Sequence, residues 1–346
     1  MTAPGELRLL QAMGGARHGG AEAFFVRLAG ALHRAGLPQR VVIRRNGERA
    51  AALRAQGVEP VELPFGGWLD LRTGAALRRL AAAWKPQVIL GWMNRASSVL
   101  PRGPFVRVGR LGGYYDLKYY GRCQHLIGNT RDIVDYVVRA GWPAERAHYL
   151  PNFVDAAPAA PADRRLLDTP TDAPVVLAAG RLHMNKGFDV LLEALAQVPD
   201  AILWLAGDGP ERELLARRAA SLGVVPRVRM LGWRDDMPAL YAAADMLACP
   251  SRHEPLGNVV IEAWAHGLPV VAATSPGPAA LIRDGETGLL VPVDDADRLA
   301  AALRRALGDP ALRARLAEAG RAEHHESFTE HAVVGRYLDF FARVAA

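Results

Sequence analysis

S251-R-H-E-P-L-G-N-V-V-I-E-A-W-A-H-G-L-P-V-V-A-A273 reads as a loop, a helix and a strand in immediate succession. Pro255 and Gly257 belong to the loop, 258–265 reads as the helix, and Gly267 and Pro269 stop that helix before the apolar run 270–273. A second apolar run, 246–249, comes just ahead. The unit is therefore strand–helix–strand, which belongs to a parallel sheet with crossover helices. The stretch also sets Glu254 and Glu262 eight positions apart across the loop-to-helix junction. A glycine just before a helix leaves backbone N–H groups free for an anion such as a phosphate. Asn258 and Glu262 stand one turn apart and can point the same way. One carboxylate near a phosphate site and a second deeper on the helix suggest a nucleotide that carries a sugar. The plainer alternative is one surface glutamate and one that favours the helix dipole.

Working outward, the alternation continues in both directions. Strands are expected at 7–13, 41–43, 58–63, 88–91, 106–108 and 126–128, with helices at 21–35, 77–84 and 133–140. The Pro/Ala-rich segment 156–174 has no apolar periodicity and reads as an interdomain linker. Strands resume at 175–179, 201–206 and 228–231, and helices at 188–196, 211–222, 237–243, 296–307, 310–324 and 330–343. The fold class is α/β, two doubly wound Rossmann-like domains facing across a cleft. The domains are 1–155 and 175–328, with the linker 156–174 between them and a final helical segment, 329–346. In such sheets ligands bind beyond the carboxyl ends of the strands, at the switch point.

The bulk properties agree. The chain has 346 residues, enough for two domains that each bury a core, and half of it is hydrophobic. The two cysteines, Cys123 and Cys249, have no metal-ligand spacing, so a reducing cytoplasm fits. No signal-peptide pattern opens the chain and no apolar run reaches membrane-spanning length. Residues 1–155 carry 22 Lys+Arg against 11 Asp+Glu, whereas the remainder carries 20 against 25. That asymmetry points to an anionic partner for the first half, a membrane surface or nucleic acid, with arginine bias of the genome as the alternative. No recognised nucleic-acid module is present, so no nucleic-acid partner is expected.

Several motifs fall at strand ends. In G180-R-L-H-M-N-K-G-F188, Arg181 and Lys186 form a suitable pair to neutralise a diphosphate, the one a planar fork and the other a mobile point charge. Fixed cations there would act on the charge that builds up as a nucleoside diphosphate leaves its sugar. Gly207-Asp208-Gly209-Pro210 allows close approach of a ligand and also makes a good turn by itself. Gly19-Gly20-Ala21-Glu22 opens a helix after the first strand and could cradle phosphate or sugar oxygens, or serve as a tight packing turn. G14-G-A-R-H-G-G contains neither a dinucleotide fingerprint nor a P-loop. R110-L-G-G-Y-Y-D-L-K-Y-Y-G-R122 interleaves tyrosines with basic residues, as suits stacking on a sugar or base or seating at lipid headgroups. Arg110, Tyr114, Tyr115 and the nearby His125 are the acceptor-side candidates, although a buried or capping role suits His125 as well. No metal site is expected.

These motifs occur in a recognisable order together with Pro151-Asn-Phe-Val-Asp155, Leu231-Gly-Trp233, Ala244-Asp245, Pro250-Ser-Arg252 and Asp284-Gly-Glu-Thr-Gly-Leu-Leu-Val-Pro292. Jointly, over about residues 14 to 292, the chain resembles the GT-B retaining glycosyltransferases of family 4. The resemblance implies a nucleotide-sugar donor on the second domain, an acceptor on the first, and a last helix that crosses back onto the first domain. It implies that Arg181 and Lys186 hold the diphosphate and that Glu254 holds the donor-sugar hydroxyls. The backbone of Gly257, Asn258 and Val259 would meet the phosphates and Glu262 the ribose, while Gly19 and Gly20 line the cleft opposite. Two departures stand out. R110-L-G-G113 replaces a histidine segment common in such enzymes, and S275-P-G-P-A-A280 replaces their G-G-x-P-E.

The expected activity is retaining, metal-independent transfer of a sugar from a nucleotide-sugar to an acceptor glycan or glycolipid. The donor is expected to be a UDP-sugar, with a GDP-sugar as the alternative, and no cofactor is expected. The acceptor is expected to be a lipid-linked or lipopolysaccharide precursor at the cytoplasmic membrane face, with the enzyme peripheral on an anionic surface. A soluble small-molecule acceptor, or a GT-B nucleotide-sugar epimerase or phosphorylase, are the alternatives.

Overall fold

The computed structural model describes residues 7–17, 19–66, 70–154 and 159–346. His18, Asp155 and the start of the expected linker, 156–158, lie outside the described residues.

Thirteen strands form two sheets among the described residues. The first contains β1 (Leu9–Met13), β2 (Gln39–Arg44), β3 (Pro60–Leu63), β4 (Val88–Trp92), β5 (Val106–Leu111), β6 (His125–Gly128) and β7 (Ala147–Tyr149). The second contains β8 (Val175–Ala179), β9 (Ile202–Ala206), β10 (Val228–Gly232), β11 (Met246–Cys249), β12 (Val270–Ala273) and β13 (Leu289–Val291). Their spatial orders are β3-β2-β1-β4-β5-β6-β7 and β10-β9-β8-β11-β12-β13. Neighbouring strands run parallel throughout both sheets. A parallel sheet covered by helices on both faces needs unbroken apolar strands rather than alternation. β1, β4, β9, β11 and β12 are accordingly buried along their whole length. In each sheet the winding reverses between the first strand and its later neighbour, β1 beside β4 and β8 beside β11. Those two junctions are the switch points where the strand-end loops diverge and leave room for a ligand.

The chain divides into two compact units, Met1–Asn152 with Glu330–Ala346, and Phe153–Thr329. The helix Glu330–Ala345 packs on the helix Gly20–Arg34 and on β4, with Tyr337, Phe340 and Phe341 fully buried. Residues 159–174 belong to the second unit as a packed strap rather than a free tether. Arg164 donates to the Ala243 carbonyl and pairs with Asp245 at 3.0 Å, and Trp204 Nε1 donates to Thr169 Oγ1 at 2.9 Å. Fixation comes from these polar contacts and from the isolated apolar side chains Ala162, Leu167 and Ala173 on the core, which leave no periodic trace. The helices Gly47–Ala55 and Pro276–Leu281 and the edge strands β7 and β13 also lie outside the sequence reading. The first has few apolar side chains to mark a face, and the others are short.

A histidine pair sits against the last helix. His125 Nδ1 lies 3.0 Å from His148 Nε2, and both rings meet Phe340. Burial, then His125 and Arg343, push the His148 imidazole down from 6.5 to about 4. Burial, then Arg146 and Arg343, also lower His125. A histidine with a depressed folded value is protonated more readily in the unfolded chain. Stability is therefore fully present above about pH 6.5 and falls as pH drops towards 4. Because the pair is only half buried, screening reduces the effect to on the order of 1–2 kcal/mol. Urea melts between pH 7.5 and 4.5 should show this slope, and His148→Gln should flatten it. An unchanged slope in the variant would exclude the pair as its source.

Candidate functional site

Two loops leave neighbouring strands at the switch point of the second sheet. Gly180–Gly187 follows β8 and Pro250–Gly257 follows β11. The side chains of Lys186 and Glu254 meet there in an ion pair, Nζ to Oε2, with Glu254 itself 8% exposed. The other oxygen of Glu254 accepts from the Gly257 N–H at 3.3 Å. Gly257 caps the helix Asn258–Ala265 with φ +67°, a left-handed conformation that a side chain would strain. The first N–H groups of that helix, at Asn258 and Val259, have no partner among the described residues, as expected at a helix amino end. An anion-binding helix start, an ammonium and a carboxylate thus share one strand edge. Arg181 lies on the same loop, exposed and without an ion pair among the described residues.

Arg252 holds the two loops in register. It takes both oxygens of Asp189 at 2.8 and 2.7 Å, the Met184 carbonyl at 2.8 Å, and Asp294 at 2.5 Å. The His253 N–H adds a bond to the Asn185 carbonyl at 3.1 Å. Sequence reasoning gave Arg252 no role beyond its motif, because its partners Asp189 and Asp294 are remote in the chain. Glu262, one turn further along the helix, accepts from Tyr241 Oη at 2.8 Å. Burial, then Glu262, raise the Tyr241 phenol well above its ordinary value, so it remains a donor. The Tyr241 ring stacks on His266 at 5.1 Å and 19°.

Gly207 has a packing role. With φ +140°, its N–H meets the Gly232 carbonyl, and an added Cβ would lie 1.9 Å from the Gly180 carbonyl oxygen. It lets the loops after β8 and β9 touch. The departing segment at Ser275 behaves similarly. The Gly277 N–H donates to the Glu254 carbonyl at 2.7 Å, so 275–278 backs the carboxylate loop directly.

In the first unit, the expected residues separate. Tyr114 and Tyr115 follow β5 at the carboxyl edge of the sheet. Tyr114 donates to Asp132 and is 41% exposed; burial, then that bond, push its phenol up to about 12. Gly19 and Gly20 begin the helix Gly20–Arg34, but Glu22 folds back under them and accepts from the Ala16 N–H at 2.7 Å. An added Cβ at Gly19 would come within 2.3 Å of the Glu22 carboxylate. Gly19 makes room for this carboxylate at the helix start, whereas a Cβ at Gly20 would meet nothing.

Arg110 is not on an acceptor surface. It is 1% exposed, donates to Tyr337 Oη at 2.8 Å and Asn152 Oδ1 at 2.7 Å, and lies over the rings of Trp92 and Phe24 at 4.4 and 4.8 Å. His125 starts β6 at the amino edge of the sheet, away from the strand ends that carry Tyr114 and Tyr115. The helix Glu330–Ala345 accounts for both corrections, since Tyr337 and Phe340 supply their partners. No group of three or more His, Cys, Asp or Glu is placed to hold a metal ion among the described residues, and none of their helices is long and apolar enough to cross a membrane.

The glycosyl transferases group 1 model matches residues 160–323, and the glycosyltransferase family 4 model matches residues 18–157. The lipopolysaccharide core biosynthesis glycosyltransferase LpsE of Rhizobium meliloti is 39% identical over 94% of this chain and 96% of its own. LpsD of the same organism is 38% identical over 95% and 96%. Among solved structures, Anabaena HepE in complex with UDP superposes with a TM-score of 0.85 at 23% identity, over 97% of this chain and 100% of that one.

Proposed function

The chain belongs to the group 1, family 4 glycosyltransferases of GT-B fold, and from that premise we propose that it moves a sugar from a nucleoside-diphosphate sugar to a growing lipopolysaccharide core. The observation that carries this reading is the Lys186–Glu254 pair beside the left-handed Gly257, at the switch point of the second sheet. The second unit holds the donor. Lys186 and Arg181 face the diphosphate, the helix start at Gly257, Asn258 and Val259 receives a phosphate, Glu254 takes the sugar hydroxyls and Glu262 the ribose. Tyr241, by donating to one Glu262 oxygen, fixes the carboxylate for the diol. The first unit carries the acceptor.

Transfer proceeds with retention and without a metal. The anomeric carbon–oxygen bond to the diphosphate breaks, and the acceptor hydroxyl attacks from the same face, passing its proton to the departing phosphate oxygen. The cations at 181 and 186 stabilise the charge that develops on the leaving group, where a preorganised donor acts on the transition state. The basic first half, +11 on residues 1–155, seats the enzyme on an anionic inner membrane face at about 1 kcal/mol per engaged cation. Failure to co-sediment with anionic liposomes at low salt would remove that membrane step.

UDP is the proposed nucleotide of the donor, supported by the HepE complex. UDP-sugars should raise the melting temperature more than GDP-, ADP- or CMP-sugars, because only a ligand of the folded state stabilises it. A preference for GDP-sugars would overturn the base assignment. Turnover of a nucleotide sugar with no acceptor present would identify an epimerase or hydrolase instead.

A further inference from the structure

At the carboxyl edge of the first sheet, the loops after β1 and β2 and the start of the helix Gly47–Ala55 enclose a pocket of about 560 Å³. Four arginines line it, Arg17, Arg44, Arg45 and Arg49, against one carboxylate, Glu48, which pairs with Arg17 at 2.8 Å. Arg49 is 5% exposed. It donates through Nη2 to the carbonyls of Ala16 and Arg17, and its buried Nη1 has no hydrogen-bond partner among the described residues. A buried guanidinium with a vacant donor is costly unless a ligand completes it. Glu22, which offsets part of the Arg49 charge, accepts from the Ala16 N–H, and Glu62 accepts from the Asn46 N–H. The side chains of Arg44 and Arg45 make no ion pair among the described residues. The helix dipole adds positive potential from the amino end of 47–55. An adjoining pocket of about 290 Å³ shares Gly15, Ala16 and Arg44 and runs to Asn94 and Tyr115 over the β1/β4 switch point.

We infer that this arginine pocket binds a phosphate group of the sugar acceptor, whose ring lies towards Tyr115 at the β1/β4 switch point. The inference rests on the transferase reading above and narrows its acceptor to a phosphorylated saccharide. Arg49 supplies the fixed, desolvated donor, and Arg44 and Arg45 supply mobile charge, as suits a dianion. It belongs to the first unit, whereas the loops after β8 and β11 belong to the second.

The test uses the full chain, with inorganic phosphate, glucose 6-phosphate and glucose as probes in calorimetric titrations at low salt. Glucose 6-phosphate should bind at least roughly tenfold more tightly than glucose, and inorganic phosphate should compete with it. Because Arg49→Ala risks misfolding, the decisive variant is R44A/R45A, whose residues have no partner to lose. It should weaken phosphate and glucose 6-phosphate binding roughly tenfold while keeping the thermal shift given by the nucleotide sugar. Equal binding of glucose and glucose 6-phosphate, or equal binding by wild type and R44A/R45A, would overturn the subsite. Loss on R44A/R45A of binding to phosphatidic acid vesicles alone, with the sugar phosphate unbound, would assign the pocket to a lipid headgroup and reject the acceptor role. Absence of any nucleotide-sugar shift in the wild type would instead indict the transferase reading.

Discussion

Lys186→Ala should lower kcat/KM by roughly 10²–10³-fold, because in the proposed donor site it removes a fixed cation from the oxygens that take up charge as the diphosphate departs. The fall should lie in kcat more than in KM if the ammonium acts mainly on the transition state. The same change strips Glu254 of its partner while leaving that carboxylate buried. Folding stability should therefore also drop, by about 1–3 kcal/mol, the usual penalty for an unsatisfied buried group. Glu254→Gln separates the two effects, since an amide keeps the bond to the Gly257 N–H and needs no counter-charge. The double variant K186A/E254Q should recover most of the stability and none of the activity. Steady-state kinetics beside guanidinium melts make the comparison. A folded Lys186→Ala protein with wild-type turnover would end the assignment of Lys186 to the diphosphate.

The largest effect on stability alone is expected at Arg110. Its guanidinium is buried, pairs with no carboxylate among the described residues, and is satisfied by a phenol, an amide and two aromatic faces. Arg110→Ala removes two charged hydrogen bonds and cation–π contacts, and leaves a cavity among Trp92, Phe24 and Tyr337. A loss of about 3–5 kcal/mol follows from the sum of such terms. Arg110→Lys should recover little, because an ammonium cannot reproduce the planar fork. Tyr337→Phe should cost less alone and should be strongly non-additive with Arg110→Ala. Denaturant titration of the four proteins measures this coupling. A loss under 1 kcal/mol for Arg110→Ala would mean that the aromatic cage closes around the gap.

Much of the architecture was legible because parallel strands are buried on both faces and read as apolar runs. The elements 175–179, 188–196, 237–243, 246–249, 258–265 and 270–273 have the bounds expected of them. The helix Gly47–Ala55 was not legible, since its composition gives it no apolar stripe, and Arg49 was overlooked with it. The acidic pair at 254 and 262 was readable from local chemistry, since glycine, helix start and carboxylates lie within twelve residues of one another. Arg110 and His125 read as acceptor-face residues because Tyr337 and Phe340, which help to enclose them, arrive some two hundred positions later. Local reasoning sees which groups a segment offers. It does not see which remote helix will cover them.

The same remoteness bears on how the molecule is made. Residues 153–329 are contiguous, whereas the first unit is complete only once 330–345 have been added. Domains tend to fold in the order in which they leave the ribosome. During that interval Arg110 has no Tyr337 to bind, and the face that Phe340 and Phe341 will cover stays wet. The half synthesised first is thus completed last. A chain that ends at residue 329 would hold every residue of the second unit and lack the helix that covers Arg110, and chaperones would treat its first unit as a client.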